Sequence, residues 1–529
     1  ANQLLQIGVG LACAFGTAGI VAWCGWRERA LAAPVRATAV LAAVVAVFWL
    51  ANARMLMHSH EIVHAQLLTL SVSVAVLGVW QAHVAGSWRW LAVATLACCV
   101  ATFSFGSGLA SFVAVILLGL LLRLPRAWLL LPGAGMALCL FLYLVVLPGD
   151  DSVREVIAFR PLDSLITSAR WLASPWINGW LGLADPPLYP WIADSVGHTW
   201  LGAVLKDSAS LVDALPGANW RTTTSALLGF TGMAALAAAF LGRLQRREMP
   251  TRLEAVALGL GLFAASCAGI VGLSRLDYLH DNPNQVFADR YLVWPCLFWL
   301  SLALLALARA ARRGRRSWIA AALGLVVAAP LLVTHRYYSA WSAAVYQGAQ
   351  RFAAAARSDV VDPAMLPNSA DADPQTVMKT LALLRERRLA MFAPTWLPVG
   401  AVWDGTVADD GLSVSLLASE PVIDAVSGRT ALHFTGTVDE GIRRVAGGPL
   451  AVLDAQRRVR GYAQFSFIRP GAKAFRLTLP AKRGFDGYIA DYDPAETYEL
   501  VHWDERARGH ARRLLRLHDA AIVAASTPR

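Results

Sequence analysis

Three groups of residues in this chain have types and spacings that could do chemistry. The first is a run at residues 52–64, Asn-Ala-Arg-Met-Leu-Met-His-Ser-His-Glu-Ile-Val-His. On a helix His60 and His64 share a face and could grip zinc while Glu61 activates a water, the arrangement of a metalloprotease. The same histidines with Arg54 could equally bind a lipid phosphate, or only cap helix ends. The second group lies at residues 275–291, where Arg275, Asp277, His280, Asp281, Asp289 and Arg290 crowd beside an apolar stretch. Ionisable groups at the end of a membrane helix are costly and default to a functional reading. Guanidinium matches phosphate geometry with several donors. Arg290 is therefore the leading residue for holding a lipid-linked phosphate, with Arg275, Arg54, His280 and Asp289 around it. The competing structural reading is a snorkelling Arg290 paired with Asp289. The third group is aromatic: Trp403, Tyr488 and Trp503 could stack on sugar rings or pack as core.

Such groups need elements to hold them. The chain has 529 residues, of which 57% are hydrophobic and only 16% charged. Its mean hydropathy is +0.49. Soluble chains average about 25% charged residues, so the composition is that of a membrane protein. A helix crosses the hydrocarbon core with about 20 apolar residues, and only helices or closed barrels satisfy their backbones there. Spans of this kind are read at 4–26, 35–53, 65–83, 88–103, 108–122, 127–147, 222–241, 253–273, 291–308 and 318–334. About ten membrane helices follow, ahead of an exported tail.

The loops after the first, fifth, seventh and ninth spans are rich in arginine: Arg27, Arg29 and Arg36; Arg123 and Arg126; Arg243, Arg246, Arg247 and Arg252; Arg309, Arg312, Arg313, Arg315 and Arg316. The positive-inside rule makes these loops cytoplasmic. The loops between them, residue 1 and the C-terminal tail then face outward, into the periplasm if the membrane is a bacterial inner membrane. Both ionisable segments lie on that outward side. The formal net charge of +11 is accounted for by loops facing anionic lipid. There is no basic groove with interleaved aromatics, so nucleic acid is excluded as a partner. The seven cysteines all lie in or beside apolar spans, without metal-type spacing, and read as small hydrophobes.

The longest outward loop, 148–221, carries Trp171, Trp176, Trp180, Trp191, Trp200, Trp220 and Tyr189. Within it, residues 164–181 look amphipathic, as a helix lying in the membrane interface would. The aromatics suit a headgroup belt or a platform for sugar rings or a polyprenyl chain. After the membrane region, 1–337, comes an amphipathic helical linker, 338–397, and then a domain at 398–529. That domain shows short alternating strands at turn spacing, which predict a β-sandwich or jelly roll. A basic amphipathic helix is expected at its end, 505–525.

The hairpin Phe103-Ser104-Phe105-Gly106-Ser107-Gly108-Leu109 leads into a Leu-rich span, and Asp289-Arg290-Tyr291 opens a late helix. Together with the many-helix core and exported β domain, these motifs resemble bacterial membrane glycosyltransferases of the GT-C type. The resemblance covers the layout of residues 1–340. It implies an inverting transfer from a polyprenyl-phosphate sugar to a glycan or lipid-linked acceptor. The family's carboxylate base, in the first external loop, would precede Ala1, and an upstream helix is expected to carry it. The expected protein is thus a glycosyltransferase of the outer face, with membrane lipids, a polyprenyl-linked sugar and a glycan acceptor as partners and no assigned metal. Two alternatives stand beside it: a zinc protease using His60, Glu61 and His64, and a non-catalytic partner in glycan assembly or export.

Overall fold

The computed structural model describes residues 3–146, 160–183, 198–216, 219–312, 317–366, 373–392, 397–409, 414–438, 450–468, 482–503 and 510–517. The chain forms two compact units, Ala1–Ser339 and Ala340–Arg529.

The first unit is helical. It begins with α1 (Gln3–Arg27), α2 (Ala33–Phe48), the short α3 (Ala53–Met57), α4 (Ser59–Ala85), α5 (Trp88–Ser104), α6 (Ala110–Leu121) and α7 (Arg126–Phe141). Then come α8 (Pro161–Leu172), α9 (Trp200–Asp213), α10 (Trp220–Arg246), α11 (Arg252–Ser274), α12 (Leu276–Asp281), α13 (Val293–Arg312) and α14 (Ser317–Arg357), which runs on past the end of the unit. Among the described residues six helices are long and apolar enough to cross a membrane: α1, α2 continued through α3, α4, α10, α11 and α13. The apolar stretches of α5, α6 and α7 are shorter, at 10–17 residues. The chain is therefore a membrane-embedded helical protein.

Its helices meet through small residues, since lipid tails offer no hydrophobic drive for helices to associate and close backbone approach must supply the attraction. Gly10 of α1 faces Ile62 of α4, and Gly259 of α11 faces Val76 of α4. At Gly229 of α10 a Cβ would lie 1.8 Å from the Ala169 carbonyl of α8. Thr251 and Glu254 close a capping box at the start of α11, and Glu254 also takes a 2.7 Å bond from Arg243.

Residues 164–181 turn their polar face into the protein. Ser164, Thr167, Ser168, Ser174 and Asn178 are buried, while Leu162 and Leu165 are exposed. The segment's buried side chains donate to carbonyls of the neighbouring helix and of the 283–287 turn. Ser168 Oγ donates to Ala268 O at 2.8 Å, Ser174 Oγ to Val286 O at 3.1 Å, and Asn178 Nδ2 to Phe287 O at 3.1 Å. Trp171 is fully buried, whereas Trp200 is exposed. Tyr189, Trp191 and the Pro-Pro-Leu-Tyr-Pro stretch lie outside the described residues.

Among the described residues the second unit contains the end of α14, a helix α15 (Pro374–Glu386) and eight strands: β1 (Thr406–Asp409), β2 (Val414–Ile423), β3 (Thr430–Val438), β4 (Leu450–Leu453), β5 (Val459–Ile468), β6 (Lys482–Ile489), β7 (Tyr498–Trp503) and β8 (His510–Leu517). All eight belong to one sheet, ordered β1-β8-β7-β4-β5-β6-β3-β2 and antiparallel except where β1 meets β8. A single curled sheet stands where two stacked sheets were expected. It bends far enough for β2 to come within 8 Å of β8. Its inner face gathers Phe434, Leu450, Val452, Phe485, Ile489, Leu500, Leu514 and Leu517 into one core. On the outer face Ala354, Ala355 and Val360, from the segment expected as a linker, pack on Ala431, Tyr488 and Ala490. The edge strand β2 has a register shift between Leu416 and Ala418.

The helix expected over 505–525 is instead strand β8 at His510–Leu517, with residues 518–529 outside the description. The spacing of Leu514 and Leu517 looks helical. A bulge explains it: Leu500 pairs with Leu515 and Val501 with Arg513, leaving Leu514 as the extra residue. The insertion resets the alternation, so residues three apart both reach the core. The strand anticipated at 474–479 also falls outside the described residues.

Candidate functional site

The candidate site of the first unit is built on a broken span. Helix α2 ends at Phe48, Trp49 is extended, and a 3₁₀ turn, Leu50–Asn52, leads into α3. The break is fixed by a 2.7 Å bond from Trp49 Nε1 to Thr334 Oγ1. It places Arg54 one turn before α4, where its guanidinium grips Glu61 with two bonds of 2.9 Å. This is the bidentate fork that arginine makes with carboxylates.

A second broken segment packs beside it. After α12 the chain makes two 3₁₀ turns, Pro283–Phe287 and Asp289–Tyr291, before α13 begins. The donors of the 160–181 segment hold this loop, and Arg170 adds a 3.2 Å bond to Pro283 O. Asp289 accepts the backbone N–H of Arg290 at 2.8 Å. Burial raises the Asp289 carboxyl above the usual carboxylate range, against the nearby positive charge of Arg54.

Arg290 differs from Arg54 in its partners. Its Nη2 donates to Tyr278 Oη at 3.3 Å and to Gln285 Oε1 at 3.2 Å, and its guanidinium lies 4.9 Å from the Tyr291 ring centre. Its Nε is buried with no hydrogen-bond partner among the described residues. Neutral groups hold the side chain in place; among the described residues it makes no salt bridge, although its charge is felt by the neighbouring Asp289 carboxyl. The expected pairing with the Asp289 carboxylate is replaced by the bond from the Arg290 backbone.

The two motifs that carried the family resemblance meet here. Phe105 of the glycine hairpin packs 5.2 Å from Trp294, which follows Asp289-Arg290-Tyr291. His64 Nδ1 donates to Ser104 O at 3.1 Å, tying α4 to the same hairpin. The hairpin is forced to be glycine at Gly108, where a Cβ would sit 2.2 Å from Ala101 O.

Other predicted residues are placed differently. Arg275 and His280 are exposed at the two ends of α12, and neighbouring Asp277 pairs with Arg160 at 3.3 Å. His60 and His64 lie edge to face, 4.6 Å apart, so their shared face is real. Glu61, the water-activating residue of the protease reading, is committed to Arg54. Among the described residues no group of three or more His, Cys, Asp or Glu is arranged to hold a metal. Trp403 and Tyr488 are 4% and 0% exposed. Their ring faces are closed to a sugar, because Trp403 packs on Ala451, Leu453, Val459 and Val501, and Tyr488 is covered by Ala354, Ala355 and Val360. Trp503 ends β7, and its side chain lies outside the description.

Tyr488 instead anchors a polar cluster of the second unit that the sequence did not reveal. Arg351 Nε donates to Tyr488 Oη and Arg351 Nη2 to Asp362 Oδ2, both at 2.6 Å, while Tyr488 Oη donates to Asp362 Oδ2 at 2.5 Å. Burial works against the Asp362 carboxylate, but these donors outweigh it and hold it below the usual range. Burial also pushes the Tyr488 phenol up. Beside it, His433 lies between two carboxylates, with Nδ1 2.9 Å from Glu420 and Nε2 2.8 Å from Asp486. The strand register places these groups: Glu420 is opposite His433, and His433 opposite Tyr488. Only cross-strand pairing could have announced the cluster.

No protein-family model, curated protein or solved structure matches this chain. Its function is argued from the residues themselves.

Proposed function

We propose that the chain is a membrane glycosyltransferase that moves a sugar from a polyprenyl-phosphate donor to a glycan or lipid-linked acceptor. The observation that carries this reading is Arg290, a guanidinium at the end of an apolar helix whose hydrogen-bond partners among the described residues are neutral. Such a group suits an anion that arrives through the bilayer, and a lipid-linked phosphate is that anion. In this reading ten apolar helices span the bacterial inner membrane. The arginine-rich loops are cytoplasmic, and the Arg290 loop and the sheet unit face the periplasm.

The acceptor hydroxyl attacks the anomeric carbon as the bond to the lipid phosphate breaks. Arg290 stabilises the departing phosphate. Asp289 takes the hydroxyl proton, its carboxyl raised by burial above the usual carboxylate range. Arg54 holds both oxygens of Glu61 in its fork and so keeps it out of that role. The test is transfer from a radiolabelled polyprenyl-phosphate sugar by the purified chain in lipid nanodiscs. Transfer that disappears in Arg290→Gln supports the assignment. Failure of every polyprenyl donor, with the chain folded, removes it.

A further inference from the structure

Helix α10 separates from its neighbours along its own length. Its first half is tightly seated, with Ser225, Gly229, Gly232 and Leu236 buried. Gly229 lies against the Ala169 backbone and Gly232 against the Phe298 ring. Beyond Leu236 no residue of the helix is buried. The wedge that opens between α10 and α13 is a cavity of about 590 Å³, within the size range of small-molecule sites. Ala235, Ala239 and Gly242 line one wall, and Leu302 and Leu305 the other.

The mouth of the wedge is charged. Arg243 is neutralised by the buried Glu254, and Glu248 is the other acid there. Arg246 and Arg309 also line it and are exposed. The mouth therefore carries net positive charge at the membrane surface, directly beyond an apolar slot on the lipid-facing flank of the unit.

We infer that this wedge is a binding site for one anionic glycerophospholipid from the leaflet that the arginine-rich loops face. An acyl chain fills the slot between α10 and α13, which would otherwise lose packing contacts along both walls. The phosphate sits between Arg246 and Arg309. The shape requires a chain-like apolar occupant, and the charge selects an anionic head over a zwitterionic one. This site does not depend on the proposed transferase activity, since it lies on the arginine-rich side of the bundle and shares no residue with the Arg290 loop.

The test is native mass spectrometry of the full chain in a delipidating detergent, titrated with phosphatidylglycerol or phosphatidylcholine. One phosphatidylglycerol is expected to bind. Replacing both arginines, Arg246→Gln with Arg309→Gln, should weaken it by about 30-fold at roughly fivefold per charge. Ala239→Leu, which fills the slot, should weaken it too, whereas Arg27→Gln in another basic loop should not. Equal binding of phosphatidylcholine, or unchanged affinity in the double variant, overturns the site. Tighter binding of a polyprenyl phosphate than of phosphatidylglycerol also overturns it, by making the occupant a donor lipid. A second measurement needs no mutation in the groove mouth. Phosphatidylglycerol brominated on its acyl chain should quench a fluorescence component that is missing from Trp299→Phe, because Trp299 lines the cavity. Identical quenching of the two proteins would refute the assignment.

Discussion

The guanidinium of Arg290 is hydrogen-bonded to the phenol of Tyr278, at 3.3 Å, rather than to any carboxylate among the described residues. Its orientation is thus fixed without loss of its charge. Arg290→Gln should lower transfer by about 10²- to 10³-fold, the cost of removing one donor aimed at developing charge. Arg290→Lys should recover little, because a point charge does not reproduce the fork. Tyr278→Phe should cost about tenfold, as the loss of one charge-assisted bond would. Equal activity in Arg290→Gln and the unmodified chain would remove Arg290 from the site.

Asp289 sets a pH limb. Burial raises its carboxyl, and a general base works only when ionised. Transfer should therefore rise with pH through a midpoint above the ordinary Asp value of about 3.9. Asp289→Asn should abolish that limb and lower the rate by about 10²- to 10⁴-fold. A limb that survives the substitution unchanged belongs to another group.

Gly229 and Gly19 make a matched pair. A methyl at Gly229 collides with the Ala169 carbonyl, while nothing lies within 4 Å of one at Gly19. Gly229→Ala should destabilise the helical unit by about 1–3 kcal/mol or more, as overpacking does. Gly19→Ala should be neutral or stabilising, given the poor helix propensity of glycine. Thermal unfolding in detergent compares the two, and similar melting shifts would contradict the packing of α8 on α10.

His433 presents a ring nitrogen to a carboxylate on each side, Glu420 and Asp486. Asp486, with a side chain only 3% exposed, is the buried partner. Asp486→Ala leaves a buried ring nitrogen without its hydrogen bond and should cost about 1–3 kcal/mol. Glu420, at 63% exposure, should cost under about 1 kcal/mol when truncated. Denaturant melts of the two variants test the ranking.

Acid should loosen the second unit. Asp362 and Asp424 are both buried and both held below the usual carboxylate range by their donors. A depressed native value stabilises the fold above the unfolded value of about 3.9. That contribution is lost as pH falls further, through the native values. The melting temperature of the sheet unit should be flat above about pH 5 and drop below about pH 4. Asp362→Asn should flatten part of the drop.

The helical membrane character was legible because apolar stretches of this length state it, and six helices among the described residues are long and apolar enough to cross a membrane. The break at Trp49 and the shorter helices α5, α6 and α7 were not. The Arg290 loop was legible because charge beside lipid is rare. The inward face of residues 164–181 was not, since amphipathicity does not say which face points in, and the carbonyls it serves belong to residues about a hundred positions away. Strand β8 was hidden by a single bulge at Leu514. The cluster around Tyr488 and His433 was hidden for a different reason: it exists only across strand register and a helix end, where no local spacing records it.

Among the described residues, β2 is the long edge strand of the curled sheet in the second unit. That margin carries Pro421, which has no N–H to offer, and a charged Glu420 beside it, and its pairing is kinked between Leu416 and Ala418. Proline, charge and irregular pairing are the devices that stop one sheet from templating another. Neighbouring copies of this unit would thus remain separate, and the protein could be concentrated without growing into fibres.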